Sequence, residues 1–153
     1  MLLLQFQAGK NRYGIDVREV IEVVPRVRFR ELPHADAAVA GLMNYRGTPV
    51  PVIDLTALLT GCPSLPFFST RIIVVNVPDR DGAGKTIGLL AERVTETVAC
   101  AADDFQPAGI DVAEAPYLGE ISLREEGAIQ RVRIANLLTP VLRAALLPPA
   151  GEG

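Results

Sequence analysis

One stretch of the sequence, Gly84-Lys85-Thr86, has the residues that end a phosphate-binding loop. Such a loop needs a glycine five residues before Gly84, where this chain has Asp79, and a helix after it whose backbone amides hold the phosphates. The apolar residues that follow Thr86 are instead typical of a strand. We therefore predict a solvent-exposed hairpin turn at this position and no nucleotide cofactor.

Side chains that could act as nucleophiles, bases or metal ligands are few and scattered. No serine stands in a G-x-S-x-G turn, and His34 is the only imidazole that could serve as a base. Asp103 and Asp104 could form paired carboxylates for acid–base catalysis or a solvated turn, and their neighbours favour the turn. Cys62 and Cys100 lie too far apart for a metal or redox motif. We expect no enzyme activity, no metal and no cofactor.

The most distinctive stretch is a polar turn, Asn44 to Gly47, that leads into an apolar strand with prolines at 49 and 51. Because proline cannot donate to a strand ladder, such a strand belongs at a sheet edge or bulge, where a partner could approach. Gly47 can adopt a positive φ, which would aim Arg46 outward. Arg46 could either tie the turn through backbone carbonyls or offer its planar guanidinium to a partner's carboxylate.

Composition limits the class of protein. The 153 residues are 49% hydrophobic and 22% charged, which suits a globular chain of one domain or two small ones. Fifteen basic and eighteen acidic residues give a net charge of −3, which disfavours nucleic acid or an anionic membrane as the main partner. No apolar stretch approaches the roughly 18–20 residues of a spanning helix. We expect no direct membrane insertion and a cytoplasmic location.

The elements that position these residues are predicted to be mostly strands. Twelve prolines and thirteen glycines divide the valine- and isoleucine-rich sequence into short pieces. Three short helices are expected: an alanine-rich one at 34–43, one at 55–59 ended by Gly61, and one at 139–147 with Thr139 as N-cap. The predicted strands are 2–8, 12–16, 19–25, 48–54, 71–77, 86–90, 94–99 and 130–134.

A weak internal repeat divides the chain. Residues 14–22 and 88–96 share glycine, aliphatic, valine and glutamate positions at a shift of 74 residues, and residues 50–59 match 129–138 at a shift of 79. Two copies in the same order indicate two similar β-subdomains, each with a strand followed by a short helical turn.

Together these stretches resemble the CheW-type coupling proteins of bacterial chemosensory systems. The resemblance runs from about residue 3 to about residue 138. It is carried by the following groups: Tyr13-Gly14-Ile15-Asp16-Val17, then Val20, Glu22 and Val23, then Gly41 with Asn44-x-Arg46-Gly47, Val50-Pro51-Val52-Ile53-Asp54-Leu55, the strand Ile72–Val75, Ile87-Gly88-Leu89-Leu90 and Phe105-Gln106-Pro107.

The resemblance implies an all-β fold of two five-stranded SH3-like barrels packed together, with short helices and a C-terminal helix. Residues 1–147 would form a single domain in which the chain passes from one barrel to the other near 62–70, and 148–153 would be a flexible tail. It also implies a non-enzymatic adaptor that bridges the cytoplasmic tip of chemoreceptors to the regulatory domain of a CheA-type histidine kinase. Copies of the chain itself could join the rings of such an array.

The same resemblance implies which residues contact partners. Asn44, Arg46 and Gly47 occupy the family's N-x-R-G turn. Val20, Glu22 and Gly41 match positions associated with receptor or kinase contact, although Val20 could equally be a core residue of its strand. Asp54 is expected to cap the helical turn that follows it.

Departures from the family pattern bear on the pathway. Leucine is common in the family at the position of Tyr45, and a basic residue at that of Thr56. Residues 115–119 and the proline-rich end resemble members of alternative, surface-sensing pathways that feed a cyclic-di-GMP output. The rival interpretation is an oligonucleotide-binding or small-ligand-binding β-barrel, for which the 5% aromatic content is unfavourable.

Overall fold

The computed structural model describes residues 1–78, 84–124, 127–139 and 142–143. In this part of the chain, eleven strands form two sheets, joined by one α-helix and three 3-10 turns. The strands are β1 (Leu2–Ala8), β2 (Asn11–Asp16), β3 (Val20–Pro25), β4 (Val39–Tyr45), β5 (Thr48–Asp54), β6 (Arg71–Val77), β7 (Lys85–Ala91), β8 (Thr97–Ala99), β9 (Phe105–Gln106), β10 (Leu118–Ser122) and β11 (Ile129–Val132); the helix is α1 (Leu55–Thr60).

The two sheets divide the chain unequally. One has six strands in the order β8-β1-β2-β11-β10-β9, and the other has five in the order β3-β6-β7-β5-β4. The six-stranded sheet therefore uses both ends of the chain and the five-stranded sheet uses its middle. The chain changes sheets at the 3-10 turn Val17–Glu19 and again between β7 and β8. Residues 62–70, where a switch was expected, instead join α1 to β6 within the five-stranded unit, which corrects that expectation.

Both sheets curl into barrels. In the five-stranded sheet, the chain just after β3 pairs with β4, because Arg30 and Leu42 exchange N–H···O bonds of 2.8 and 2.9 Å. In the six-stranded sheet, the two outermost strands, β8 and β9, are joined by residues 100–104 alone. A flat sheet would separate these edges by about 24 Å, whereas the connection spans at most about 21 Å even when fully extended. The expected all-β fold of two SH3-like barrels is confirmed.

The internal repeat corresponds to a structural pseudo-symmetry. Gly14 on β2 lies opposite Arg131 on β11, and Gly88 on β7 lies opposite Val52 on β5, both in parallel pairs. A shift of 74 residues relates the two glycines, and a shift of 79 relates their partners. Each parallel pair therefore joins a strand from one copy of the repeat to a strand from the other. This exchange arises because the two matching segments 14–22 and 88–96 both lie where the chain crosses from one sheet to the other.

The core has two main parts. The larger cluster packs side chains of both sheets together, including Phe6 and Ile15 from the six-stranded sheet and Ile53, Ile73 and Leu89 from the five-stranded one. A smaller cluster covers the other face of the five-stranded sheet and consists of Met43, Val50, Val52, Ile72, Val74 and Leu90. The central strands of that sheet are therefore buried on both faces, which explains their unbroken apolar sequence.

Most predicted elements are present, and one is wrong. The alanine-rich stretch 34–43 forms no helix, because Val39–Tyr45 pairs along its length with β5 and tertiary pairing outweighs helix propensity. Strands β9 and β10 were not predicted. Helix α1 is confirmed with its caps: the Asp54 carboxylate accepts the Ala57 N–H at 3.2 Å, and Gly61 ends the helix with φ +82°.

The chain's C-terminal part is described only in places. Leu142 is buried and helical, and the Arg143 N–H donates to the Thr139 carbonyl at 2.7 Å. The rest of the predicted helix after Thr139, and the predicted tail 148–153, lie outside the described residues. Among the helices that the structure describes, none is long and apolar enough to cross a membrane.

Candidate protein-binding site

The β4–β5 connection is a tight two-residue turn. Tyr45 pairs with Thr48, and the two residues between them both have positive φ, +52° at Arg46 and +84° at Gly47. These angles suit a type I′ hairpin turn, whose twist matches that of the flanking strands. The Asn44 side-chain oxygen accepts the Gly47 N–H at 2.8 Å, which fixes the turn. The asparagine and glycine of the motif are thus explained by local geometry.

Arg46 has no such local reason to occupy the turn. A left-handed backbone is unfavourable for a residue with a β-carbon, and asparagine or glycine is the usual choice there. Its side chain is 72% exposed, and its Nη2 donates to the Glu22 carboxylate at 2.8 Å. The guanidinium carbon lies 5.2 Å from the centre of the Tyr45 ring. The ion pair and the ring therefore hold the guanidinium in one place at the surface.

Glu22 joins the turn to β3. Its Oε1 accepts both the Arg46 guanidinium and the Tyr45 hydroxyl. Tyr45 also packs against the smaller core cluster, so the base of this group is anchored while its outer end faces solvent. The hydrogen bond to Glu22 stabilises the neutral phenol and raises the pKa of Tyr45 above its ordinary value, with desolvation adding to the rise. Glu22, Tyr45 and Arg46 are called the turn cluster below.

The geometry does not support the first alternative for Arg46, a tie to backbone carbonyls, and leaves the second open. Within the described residues, Arg46 makes no hydrogen bond to a backbone carbonyl. It does bind a carboxylate, but the carboxylate belongs to Glu22 of the same chain. Since Nη2 alone is engaged, the other guanidinium N–H groups remain available to a second acceptor.

The proline-containing strand is not an edge strand as a whole. β5 lies between β4 and β7, but β7 pairs only with Val52–Asp54. The segment with Pro49 and Pro51 is therefore paired on one side only, with β4. Prolines are tolerated here because no second strand lies beside this segment to accept hydrogen bonds from the N–H groups that prolines lack.

Two further residues that were predicted to contact partners lie partly or fully inside the protein. Val20 is half-buried and packs against the larger core cluster, as its alternative interpretation held. Gly41 is buried with φ +146°, and a β-carbon there would lie 2.4 Å from the Arg30 carbonyl oxygen. Since Arg30 and Leu42 close the barrel, Gly41 lets the two segments approach.

Sequence reasoning missed two exposed apolar residues of β3 that flank Glu22 in the sequence. Ile21 and Val23 alternate with Glu22 along β3 and are 52% and 37% exposed. β3 is the last strand of its sheet, paired with β6 alone among the described strands. The burial pattern of β3 could not be read from its sequence, because all but one of its first five residues are aliphatic.

The residues first considered for chemistry are dispersed. Lys85 begins a strand and not a helix, so the phosphate-loop alternative lacks its structural context. Asp103 and Asp104 lie on an exposed 3-10 turn, where the Asp104 carboxylate accepts the Ala101 N–H at 3.1 Å. His34 lies in an exposed loop. Within the described ranges, no group of three side chains could hold a metal ion.

One open depression of about 380 Å³ lies between the loop 107–111 and β10. Its charged side chains are Asp111, Glu120 and Arg133, and the last two form an ion pair. The pair neutralises its own charges, so the depression presents no convergent set of reactive groups to a small molecule.

Comparison with known proteins gives a consistent result. The family pattern of the CheW-like domain matches residues 2–141. The chemotaxis protein CheW of Rhizobium meliloti (strain 1021) is 30% identical over 105 residues, which cover 69% of this chain and 64% of that protein. The chemotaxis protein CheW of Treponema pallidum (strain Nichols) is 30% identical over 112 residues, 68% of this chain and 61% of that protein. The matched part is thus less than two thirds of each relative.

Among solved structures, the scaffolding protein TtCheW from Thermoanaerobacter tengcongensis has a similar fold. The TM-score is 0.77 at 24% sequence identity, and the match covers 90% of this chain and 87% of that one.

Proposed function

The chain belongs to the CheW-like domain family, and from this membership we propose that it is a non-enzymatic adaptor of a bacterial chemosensory array. In this role it couples the cytoplasmic tip of chemoreceptors to the regulatory domain of a CheA-type histidine kinase. The observation that carries the proposal is the family match over residues 2–141, which spans every strand of both barrels.

The turn cluster supports a contact role. Arg46 presents unused N–H groups to solvent from a fixed backbone, and guanidinium groups bind carboxylates in a planar, two-bond geometry. Ile21 and Val23 add exposed apolar area on β3, on the strand face opposite to Glu22.

Two barrels that share one core can transmit a signal without chemistry. The larger cluster joins both sheets, so partners bound to different surfaces act on one body. A receptor state that binds the adaptor more tightly then shifts the kinase between its own states through differential binding. Individual interfaces can be weak, because linked contacts in an array raise the effective concentration of each partner.

The test is reconstitution with a CheA-type kinase and a chemoreceptor tip fragment from the same organism. We expect kinase autophosphorylation to rise only when receptor, kinase and this chain are all present. Arg46→Glu should reduce both the activation and the co-sedimentation of the chain. Failure of the wild-type chain to bind either partner contradicts the proposal.

Arg93→Glu is a matched control for this variant. Arg93 also has a left-handed backbone, with φ +53°, and its guanidinium carbon lies 5.0 Å from the centre of the Phe67 ring. It has the same charge and a similar local setting, but it lies outside the turn cluster. We expect Arg93→Glu to activate like the wild type. If a folded Arg46→Glu variant also does so, Arg46 is not a contact residue.

A further inference from the structure

The side chain of Arg131, on β11, reaches the 3-10 turn where the chain leaves the six-stranded sheet. Its Nη2 donates to the Glu19 carboxylate at 3.3 Å and lies 3.8 Å from the Asp16 carboxylate. Asp16 is the last residue of β2, and Glu19 is the last residue of the turn before β3. Arg131 therefore connects one barrel to the residue at which the chain enters the other.

Most of this contact is shielded from solvent. The side chain of Arg131 is 20% exposed, and that of Asp16 is 2% exposed. Partly buried charges are screened less by water and salt than exposed ones, so their interaction depends more steeply on distance. A small displacement of the turn therefore changes how strongly Arg131 is held.

The guanidinium has two carboxylates within reach. Asp16 is held by Arg18, whose Nη2 donates to it at 2.7 Å, whereas in the described part of the chain Glu19 pairs with Arg131 alone. The buried Nε of Arg131 has no hydrogen-bond partner among the described residues. When the turn moves and Glu19 is withdrawn, Arg131 can move towards Asp16 and keep its charge paired. Coupling between distant sites requires an element of this kind, with two discrete arrangements.

The strand after the turn connects this contact to the turn cluster. Glu22 lies on β3, three positions after Glu19. Between the two, the register of β3 against β6 shifts by one residue, so that Ile21 has no partner of its own. A bulge of this kind interrupts the ladder and lets the strand bend. The beginning of β3 can therefore shift relative to β6 while the pairs that follow Glu22 remain.

We propose that Arg131 is a positioning residue that couples the turn cluster to the six-stranded barrel. A partner that binds Arg46 displaces Glu22 and the beginning of β3. Glu19 moves with them, and Arg131 responds by exchanging one carboxylate for the other. The inference rests on the proposed adaptor role and adds to it the residue through which a contact on one barrel affects the other. Arg131 itself contacts no partner.

The coupling is measured first in the chain alone. The Val20 N–H donates to the Val17 carbonyl at the end of the turn, so its hydrogen exchange reports on the turn. Arg46→Met and Arg131→Met should each speed this exchange several-fold, and the double variant no more than either single one. Independent sites would instead multiply their effects. An Arg46→Met variant that leaves the exchange of Val20 unchanged, or a double variant whose effects multiply, overturns the proposal.

Matched variants separate coupling from a general loss of stability. Arg133 follows β11 and pairs with Glu120 of its own sheet, so Arg133→Met removes a similar charge and leaves the turn untouched. Its Val20 amide should exchange as in the wild type. Arg131→Lys keeps the charge and should also exchange close to the wild type. Glu19→Gln removes the same contact from the other side, so it should speed the exchange even if Arg131→Met does not fold.

Reconstitution with the kinase and the receptor fragment gives the second measurement. Arg131→Met should bind both partners as the wild type does but lose about tenfold in kinase activation, within the usual range of coupling between sites. Arg133→Met should activate fully. Binding and activation that fall together would show a structural role only. If the wild-type chain binds neither partner, the adaptor role fails, while the exchange measurements still decide whether Arg131 couples the barrels.

Discussion

Arg46 and Glu22 form a 2.8 Å ion pair between the β4–β5 turn and β3, although 24 positions separate them in the sequence. The pair ties an exposed hairpin turn to the last strand of its sheet. The Tyr45 hydroxyl binds the same carboxylate oxygen, so one acceptor fixes both side chains. A partner that binds Arg46 therefore acts on β3 as well as on the turn.

The first prediction concerns the strength of this pair. In a double-mutant cycle of Glu22→Gln and Arg46→Met, we expect a coupling energy of about 0.2–1 kcal/mol, because the arginine is largely exposed and screened by solvent. Urea denaturation of the four proteins measures it, and the coupling should fall as salt is added. A coupling of zero at low salt would mean that the pair does not persist in solution.

The second prediction contrasts two glycines with positive φ. At Gly47 an added β-carbon meets nothing within 4 Å, so Gly47→Ala should cost only the backbone strain, about 1–2 kcal/mol. At Gly41 the β-carbon would also collide with the Arg30 carbonyl, so Gly41→Ala should cost at least about 3 kcal/mol. Chemical denaturation gives both free energies of unfolding.

The two substitutions also distinguish a glycine that only forms a turn from a glycine that lets two segments close the barrel. Gly47→Ala should leave the barrel closed, whereas Gly41→Ala should speed hydrogen exchange of the Arg30 and Leu42 amides. Equal destabilisation by both substitutions would show that Gly41 has no special part in closing the barrel.

The third prediction concerns acid stability. The buried Asp16 carboxylate has its pKa lowered, chiefly by hydrogen bonds from Arg18, with Arg131 adding a favourable charge. A pKa below the unfolded value of about 3.9 stabilises the fold above that pH. The stabilisation is lost as the pH falls from there through the folded pKa. We therefore expect Asp16→Asn to reduce stability at pH 6 and to flatten its decline towards pH 3.

Asp103→Asn is the control for this titration. It removes one carboxylate of the same charge from an exposed 3-10 turn, so it separates the effect of the Asp16 site from that of net charge. The Asp16 assignment fails if Asp16→Asn and Asp103→Asn give the same slope below pH 5.

Local chemistry explains which parts of the fold could be predicted. The Gly61 C-cap, the Asp54 N-cap and the positive φ of Gly47 follow from residue types at adjacent positions, and all three are present. The observed ends of strands with apolar alternation or unbroken apolar runs lie within three residues of the predicted ones. The alanine-rich stretch 34–43 failed, because its strand structure depends on pairing with β5 and not on its own propensity.

Long-range relationships could not be predicted in the same way. The repeat indicated two similar units, but it could not reveal that each barrel combines strands of both copies, since that depends on where the chain crosses between sheets. Similarly, the sequence identified Glu22 and Arg46 separately through the family resemblance. Their pairing depends on the barrel closure that brings β3 beside the β4–β5 turn.

The last prediction concerns Tyr45, where this chain departs from the leucine common in its family. Tyr45→Phe keeps the ring beneath Arg46 and removes only the hydroxyl that donates to Glu22. Since that hydrogen bond raises the pKa of the phenol, the neutral form stabilises the fold below the ordinary tyrosine pKa of about 10. This contribution disappears as the pH rises through the higher folded value. The wild type should therefore be more stable than Tyr45→Phe at pH 8, and the difference should vanish at strongly alkaline pH. The other tyrosines are the same in both proteins, so their effects cancel in the comparison. A difference that stays constant across this range would show that the hydroxyl contributes through packing and not through its hydrogen bond to Glu22.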